Sequence, residues 1–390
     1  MRTLTGIERL ASKPGKWLLG KRLGLLANPA SVDRRLRHTA YILNDIFPGR
    51  LTTLLSPQHG FFAEKQDNMI TSGDTEDPVL GIPVYSLYGQ TRWPTEKMLA
   101  DIDTLIIDLQ DVGTRVYTFI YTMAYCLEAA ARHDLRVVIL DRPNPVNGVD
   151  LEGNLLVPEY ASFVGRYPIP MRHGLTIGEL GLLFNDWFNI NCRLDVISMR
   201  NWERSMFFAD TGLPWVAPSP NLPTPVSALV YPGQVIWEGT NISEGRGTTQ
   251  PFELFGAPFI DPHRTAAAED LAVIPGAVLR PAVFEPTWNK WRGQPCRGFQ
   301  IHLLNPDEYR PWSTSLRLLQ TIRRLYPADF AWRQPPYEYE YEKLPIDLIL
   351  GDASVRKKLE AGESIGSLEE SWEDDLARFK TNCRPFRLYL

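Results

Sequence analysis

Over residues 1–150, short and continuously apolar runs recur, and each breaks off into polar residues with a proline or glycine close by. The runs are Lys21–Ala27, Leu51–Leu55, Ile82–Leu87, Thr104–Leu109 and Arg136–Leu140. They stop at Asn28-Pro29, Ser56-Pro57, Tyr88-Gly89, Gln110-Asp111 and Asp141-Arg142-Pro143. Runs without alternation are what strands buried on both faces of a parallel sheet look like. Between them the period changes. Val116, Phe119, Ile120, Met123, Leu127 and Ala131 fall on one stripe, which predicts a helix over Thr114–His133. Strand and helix in alternation imply right-handed βαβ units and a doubly wound sheet.

The texture shifts twice further on. Residues 151–260 are loop-rich and dense in proline and glycine, with one clear helix over Thr176–Phe188. Thr176 and Glu179 form a T-x-x-E capping box at its start. A strand is expected over Leu194–Met199. Past Phe259, strands are expected over Gly298–Leu304 and Ile346–Leu350, and helices over Thr314–Tyr326 and Ser367–Lys380. The expected fold is therefore α/β. A Rossmann-like parallel-sheet domain covers 1–264, including the loop-rich region, and a smaller α/β domain covers 265–390.

Ligand crevices in open parallel sheets lie outside the carboxyl ends of the strands. That is where this chain puts its polar residues. No G-x-G-x-x-G follows the first strand and no G-x-x-x-x-G-K-[ST] occurs, so neither a dinucleotide fingerprint nor a P-loop accompanies the alternation. A nucleotide-dependent enzyme would rest on the alternation alone.

Composition excludes more than it identifies. The chain is 44% hydrophobic, enough for a sizeable core, and its net charge of -5 comes without a Lys/Arg cluster, which argues against a nucleic-acid partner. No apolar run reaches membrane-spanning length, and residues 1–20 lack an apolar leader, so a soluble cytoplasmic protein is expected. Four widely spaced cysteines without a CxxC fit free thiols in a reducing compartment. The six histidines are scattered and H-E-x-x-H is missing, so no metal site is expected. The 11 tryptophans serve either as core filler or as sugar-stacking platforms.

Several strand-end segments carry candidate chemistry. Gln58–Asn68 gathers His59, Glu64, Asp67 and three amides, material for a general acid or base or simply a solvated loop. Asp108 interrupts a buried strand, and burying a carboxylate is costly unless it is paired. Asp111 either caps the following helix or takes part in chemistry. Arg115 is expected in the first helical turn, where a cation opposes the helix dipole, and so calls for an acid or an anionic ligand. Gln110 and Tyr117 flank these residues. In Asp141-Arg142-Pro143-Asn144-Pro145 the prolines fix the loop and aim Asn144. Arg172 and His173 precede the capped helix, with His173 a candidate acid, base or donor. The densest polar stretch, Glu238–Thr248, carries Asn241, Glu244 and Arg246 among three glycines that permit close backbone approach.

Taken together, these motifs resemble the NamZ-like exo-β-N-acetylmuramidases, glycoside hydrolase family 171, first catalogued as a domain of unknown function. The matching stretches include GLLANP at Gly24–Pro29, SPQHG at Ser56–Gly60, DLQDVGTRVY at Asp108–Tyr117, DRPNPVNG at Asp141–Gly148, RHGLTIGEL at Arg172–Leu180, PSPNLPT at Pro218–Thr224 and EGTNISEGRGT at Glu238–Thr248. The resemblance implies a cleft between a Rossmann-like domain and a smaller C-terminal one. It implies exo-acting release of N-acetylmuramic acid from the non-reducing end of peptidoglycan fragments by carboxylate acid/base chemistry, with a small carbohydrate as partner and no metal or organic cofactor. Candidate catalytic groups are then Glu64, Asp67, Asp111, His59 and Glu244. Candidate substrate contacts are Gln58, Asn28, Asp108, Gln110, Arg115, Tyr117, Asp141, Arg142, Asn144, Arg172, His173, Asn221, Asn241 and Arg246. Among these, Arg115, Arg172 and Arg246 suit two-handed capture of the muramic acid carboxylate.

One residue departs from the pattern. The family loop reads P-E-H-G, and here Gln58 stands in place of its Glu. An amide cannot act as general acid or base. Either Glu64 or Asp67 takes over, or the carboxylate lies elsewhere, or the chain is a catalytically inactive or redirected sugar-binding protein of the same fold.

Overall fold

The structure, a computed structural model, describes residues 2–17, 20–67, 69–268, 271 and 273–390. Its strands are β1 (Leu23–Ala27), β2 (Leu51–Ser56), β3 (Thr75–Glu76), β4 (Pro83–Ser86), β5 (Thr104–Asp108), β6 (Arg136–Leu140), β7 (Glu152–Leu155), β8 (Pro170–Arg172), β9 (Arg193–Ile197), β10 (Leu254–Ala257), β11 (Ala277–Phe284) and β12 (Cys296–Leu303). Its α-helices are α1 (Gly6–Ser12), α2 (Thr39–Ile46), α3 (Glu96–Leu99), α4 (Phe119–Arg132), α5 (Ile177–Trp187), α6 (Pro225–Gln234), α7 (Pro262–Ala266), α8 (Pro311–Leu325), α9 (Pro345–Leu350), α10 (Ala353–Ala361) and α11 (Ile365–Asn382).

The main sheet runs β3-β4-β2-β1-β5-β6-β9. All its pairings are parallel except the short edge strand β3, which is antiparallel to β4. Numbering only the parallel strands along the chain gives the order 3-2-1-4-5-6, that of dinucleotide-binding folds, with the direction of winding reversing between β1 and β5. The five apolar runs of the first 150 residues all became strands of this sheet. β1 and β5 are buried at every position, as their lack of alternation requires.

A second, antiparallel sheet runs β10-β12-β11, and β7 pairs with β8 in a small ladder. Because β10 lies upstream of residue 265, a division at 264 separates it from the sheet it belongs to. Nor does the core divide there. One apolar cluster runs from Leu26, Leu55 and Leu105 through Trp237 and Phe255 to Leu316, Leu348 and Phe379. A smaller cluster closes the opposite face of the main sheet, where Ile7 and Leu10 of α1 and Ile42 and Leu43 of α2 meet Leu25, Leu54 and Val138.

Two local expectations fail for identifiable reasons. Ile346–Leu350 is helix α9 rather than a strand. Five apolar residues in a row do not distinguish the two states, and Pro345 at the first helical position decides it. Helix α4 starts at Phe119, not Thr114, so Arg115 lies outside it and Asp111 does not cap it. The intervening residues form a buried loop against β8, with Thr114 bridging to Arg172. Among the described residues, no helix is long and apolar enough to cross a membrane.

Candidate active site

Outside the carboxyl ends of the main sheet lies a small, partly open cavity of about 30 Å³. The loop after β2 contributes Gln58 and His59, the approach to α4 contributes Tyr117 and Thr118, and the segment before α6 contributes Ser219 and Asn221. The C-terminal half closes it with Tyr231, Glu238, Arg246, Tyr337 and Glu338. Both halves of the chain are therefore needed to make its wall.

His59 has a left-handed backbone, φ 76°, which turns its ring inward over the strand end. Its Nδ1 lies 2.7 Å from the Lys65 carbonyl. A carbonyl only accepts, so Nδ1 carries the hydrogen and Nε2 keeps a lone pair. Burial pushes its pKa down to about 4, against the opposing pull of that hydrogen bond, so the ring is neutral at pH 7.

Arg246 organises the opposite wall. Its Nη2 donates to Glu238 at 2.7 Å and its Nε pairs with Glu244 at 3.2 Å, while the guanidinium stacks on the Phe252 ring. Lys290 takes the other oxygen of Glu244 at 2.8 Å. Among the described residues, Nη1 of Arg246 has no hydrogen-bond partner although it is buried. Burial alone would raise the Glu238 pKa, but the Arg246 charge and hydrogen bond, with a second hydrogen bond from the Tyr337 hydroxyl at 2.8 Å, hold it below the ordinary value.

Glu338 shows the reverse. Burial lifts its pKa to about 7, opposed by hydrogen bonds from Tyr88 and Gln58 and reinforced by the negative charge of Glu238. The same cavity thus holds one carboxyl that is ionised at neutral pH and one that is partly protonated. Separation of that kind is how a site assigns acid and base roles to chemically identical groups.

Of the residues singled out from sequence, the cavity gathers Gln58, His59, Tyr117, Asn221 and Arg246. Glu64 is exposed and folds back over Gly60. Asp67 meets Asn289 at 3.2 Å, and Asn68 lies outside the described residues. Asn241 ties down the chain at Asp329 and Ala331. Asp111 accepts from the Gly113 N–H and faces His173 Nε2 at 3.3 Å, with no place in the cavity wall.

The remainder form the scaffold beneath. Asn28 and Gln110 bridge loops across the point where the winding reverses, since Asn28 Nδ2 donates to the Gln110 carbonyl and Gln110 Nε2 to those of Asp111 and Pro143. Asp108 holds Arg142, and Asn144 Nδ2 donates to the Leu175 carbonyl. Asp141 accepts from Thr176, Gly178 and Tyr389 at the start of α5. Arg115 and Arg172, offered as carboxylate traps, are spent elsewhere. Arg115 donates to four backbone carbonyls, and Arg172 is held by Glu152, Asp150 and the Val146 carbonyl.

Glu238, Tyr337 and Glu338 were not picked out from the sequence. Glu238 lay inside a stretch already noted for its polarity. Glu338 sits in the alternation Tyr337-Glu338-Tyr339-Glu340, whose charge reads as solvated surface until the fold tucks it under Tyr88.

A parallel sheet in this strand order, with a smaller antiparallel sheet and a cavity lined from both halves, defines a two-domain α/β protein. Residues 23–226 match the profile described as exo-beta-N-acetylmuramidase NamZ, N-terminal, and residues 229–389 match its C-terminal counterpart. The chain belongs to the NamZ exo-β-N-acetylmuramidase family. It is 44% identical over 385 residues to the peptidoglycan beta-N-acetylmuramidase NamZ of Bacillus subtilis (strain 168), covering 99% of this chain and 91% of that protein. Among solved structures it resembles two DUF1343 family proteins of Bacteroides fragilis NCTC 9343. One has a TM-score of 0.88 at 34% identity and the other 0.79 at 29%, each covering 100% of this chain and 99% of the other.

Proposed function

We propose that this chain is an exo-acting glycoside hydrolase that releases N-acetylmuramic acid from the non-reducing end of peptidoglycan-derived fragments, working in the cavity between its two halves. The observation that carries this reading is Arg246. Arg246 lines a cavity that also holds an ionised and a protonatable carboxyl, and among the described residues its buried Nη1 has no hydrogen-bond partner. A guanidinium N–H without an acceptor suits the lactyl carboxylate that distinguishes muramic acid from glucosamine. The substrate class named for the Bacillus relative agrees with a muramic acid carboxylate, and the family description supplies the exo mode. We infer a cytosolic setting from four unpaired, buried thiols.

The test is release of N-acetylmuramic acid from a chromogenic β-N-acetylmuramide and from the disaccharide in which it is linked to N-acetylglucosamine. Turnover of both is expected. Neither turnover nor binding would end this reading. Binding without turnover would favour the second one, a sugar-binding protein of the same fold, for which Gln58 is the motivating residue.

A further inference from the structure

We infer that Glu338 is the proton donor of this site, held in place by Gln58 and Tyr88; the inference rests on the glycosidase reading above. Both oxygens of its carboxyl are gripped. Gln58 Nε2 donates to Oε1 at 3.0 Å and the Tyr88 hydroxyl donates to Oε2 at 2.6 Å. The amide of Gln58 is itself oriented, because the Thr118 hydroxyl donates to its Oε1 at 2.7 Å and its NH₂ must therefore face Glu338 and Tyr88. Tyr88 is fixed by the Met69 N–H, which donates to its oxygen at 3.0 Å.

The backbone supports the same placement. Glu338 and Tyr339 both adopt left-handed conformations, φ 47° and 68°, which side-chain-bearing residues seldom take. Reciprocal hydrogen bonds between Tyr337 and Glu340 close the tight turn that holds them. The turn sends Glu338 into the cavity, only 5% exposed, while Tyr341 stays at the surface. Strained backbone of this kind accumulates at functional sites.

The chemistry needs a donor that Gln58 cannot be. Burial leaves Glu338 with a pKa of about 7, close to the value at which a general acid works best at neutral pH. In the step proposed, Glu338 gives its proton to the glycosidic oxygen as the bond from that oxygen to the anomeric carbon breaks. The bonding pair leaves with the oxygen, which becomes a hydroxyl of the departing sugar. Positive charge develops at the anomeric carbon, within the field of the ionised Glu238. A water oxygen then bonds that carbon, and the proton the water loses restores the acid form of Glu338. One water is consumed per bond cleaved.

Glu338→Gln, nearly isosteric, tests this with two substrates. The 2,4-dinitrophenyl β-N-acetylmuramide has a leaving group that needs no proton, whereas the disaccharide with N-acetylglucosamine has one that does. We expect kcat/KM to fall roughly 10²–10⁴-fold on the disaccharide and less than about tenfold on the aryl glycoside, with the alkaline limb of the wild-type profile abolished. Equal losses on both substrates, or retained activity on the disaccharide, would overturn the assignment and leave the glycosidase reading standing. Tyr88→Phe removes a hydrogen bond that holds the Glu338 pKa down, so the alkaline limb should move to higher pH; an unmoved limb counts against the assignment. A wild-type protein that turns over neither muramide overturns the glycosidase reading and this one with it.

Discussion

Asp108, the last residue of β5, grips the guanidinium of Arg142 with both carboxylate oxygens, at 2.5 Å from Nε and 2.9 Å from Nη2. Both side chains are almost wholly buried, and Thr39 adds its hydroxyl to the same carboxylate. The pair ties the ends of two adjacent strands below the cavity. Removing one member leaves a buried charge without compensation. Arg142→Met is therefore expected to cost about 3–5 kcal/mol of stability, whereas Arg142→Met combined with Asp108→Leu should cost less than the single change. Urea unfolding of the three proteins checks this. A double variant less stable than Arg142→Met would contradict it.

Arg115 leads to a second expectation about stability. Burial lowers its pKa to about 10, so it remains charged at neutral pH, and its charge is met by the carbonyls of Asn154, Ile169, Ile349 and Leu350. Two of those belong to α9, so one side chain clamps the C-terminal half onto the loop before α4. Arg115→Met would take the donor from the carbonyls of Asn154, Ile169 and Ile349, while that of Leu350 keeps Asn154 Nδ2 at 2.9 Å. At about 1–3 kcal/mol for each unsatisfied group, partly relieved by relaxation, a loss of at least about 3 kcal/mol is expected. Thermal unfolding measures it, and a shift of a degree or less would refute the clamp.

These two arginines also mark how far the sequence could be read. The strands of the main sheet were legible because β1, β5 and β6 have uninterrupted apolar centres, and α5 because Thr176 and Glu179 announce its start. The motif-rich segments showed where polar residues gather, but not what each one meets. A polar residue in a strand-end loop looks the same whether it faces a substrate or a neighbouring carbonyl. Arg115 and Arg246 differ only in what the fold brings to them, four carbonyls in one case and a half-satisfied cavity wall in the other. Glu338 was illegible for a related reason. It lies 280 residues from Gln58 along the chain, and nothing local links them. Strand β11 was missed because one of its faces is exposed and Pro281 interrupts it, both of which read as edge or loop.

Arg246 should act on selectivity more than on rate alone. In the proposed reading its Nη1 meets the muramic acid carboxylate, while its Nη2 helps keep Glu238 ionised and its Nε pairs with Glu244. Arg246→Gln will disturb both roles, so the informative quantity is a ratio. Aryl glycosides of N-acetylmuramic acid and N-acetylglucosamine share every dependence on Glu238 and differ in the lactyl carboxylate. Loss of a charge-assisted contact worth about 1.5–3 kcal/mol should cut the preference for the muramide roughly 10- to 100-fold. A preference unchanged by Arg246→Gln would assign the carboxylate to another residue.

Gln58→Glu would place a second carboxyl 3.0 Å from the first, across the present contact between Gln58 Nε2 and Glu338 Oε1. Two carboxylates that close cannot both ionise easily, so the pair is expected to hold one proton between them and titrate in two separated steps. The upper step should lie above the value of about 7 set by burial of Glu338 today. The alkaline limb of kcat is then expected to move up by about one unit or more. The sign for stability follows from the same shift. Glu338 in the folded protein binds protons more tightly than in the unfolded chain, so its contribution is greatest below the ordinary carboxyl pKa of 4.5 and is lost as pH rises towards 7. In Gln58→Glu that window should stretch to higher pH, so the melting temperature should fall more steeply between pH 5 and about 8 than in the wild type. Parallel profiles of kcat and melting temperature test both consequences. Wild-type-like profiles in the variant would mean that the two side chains do not meet as described.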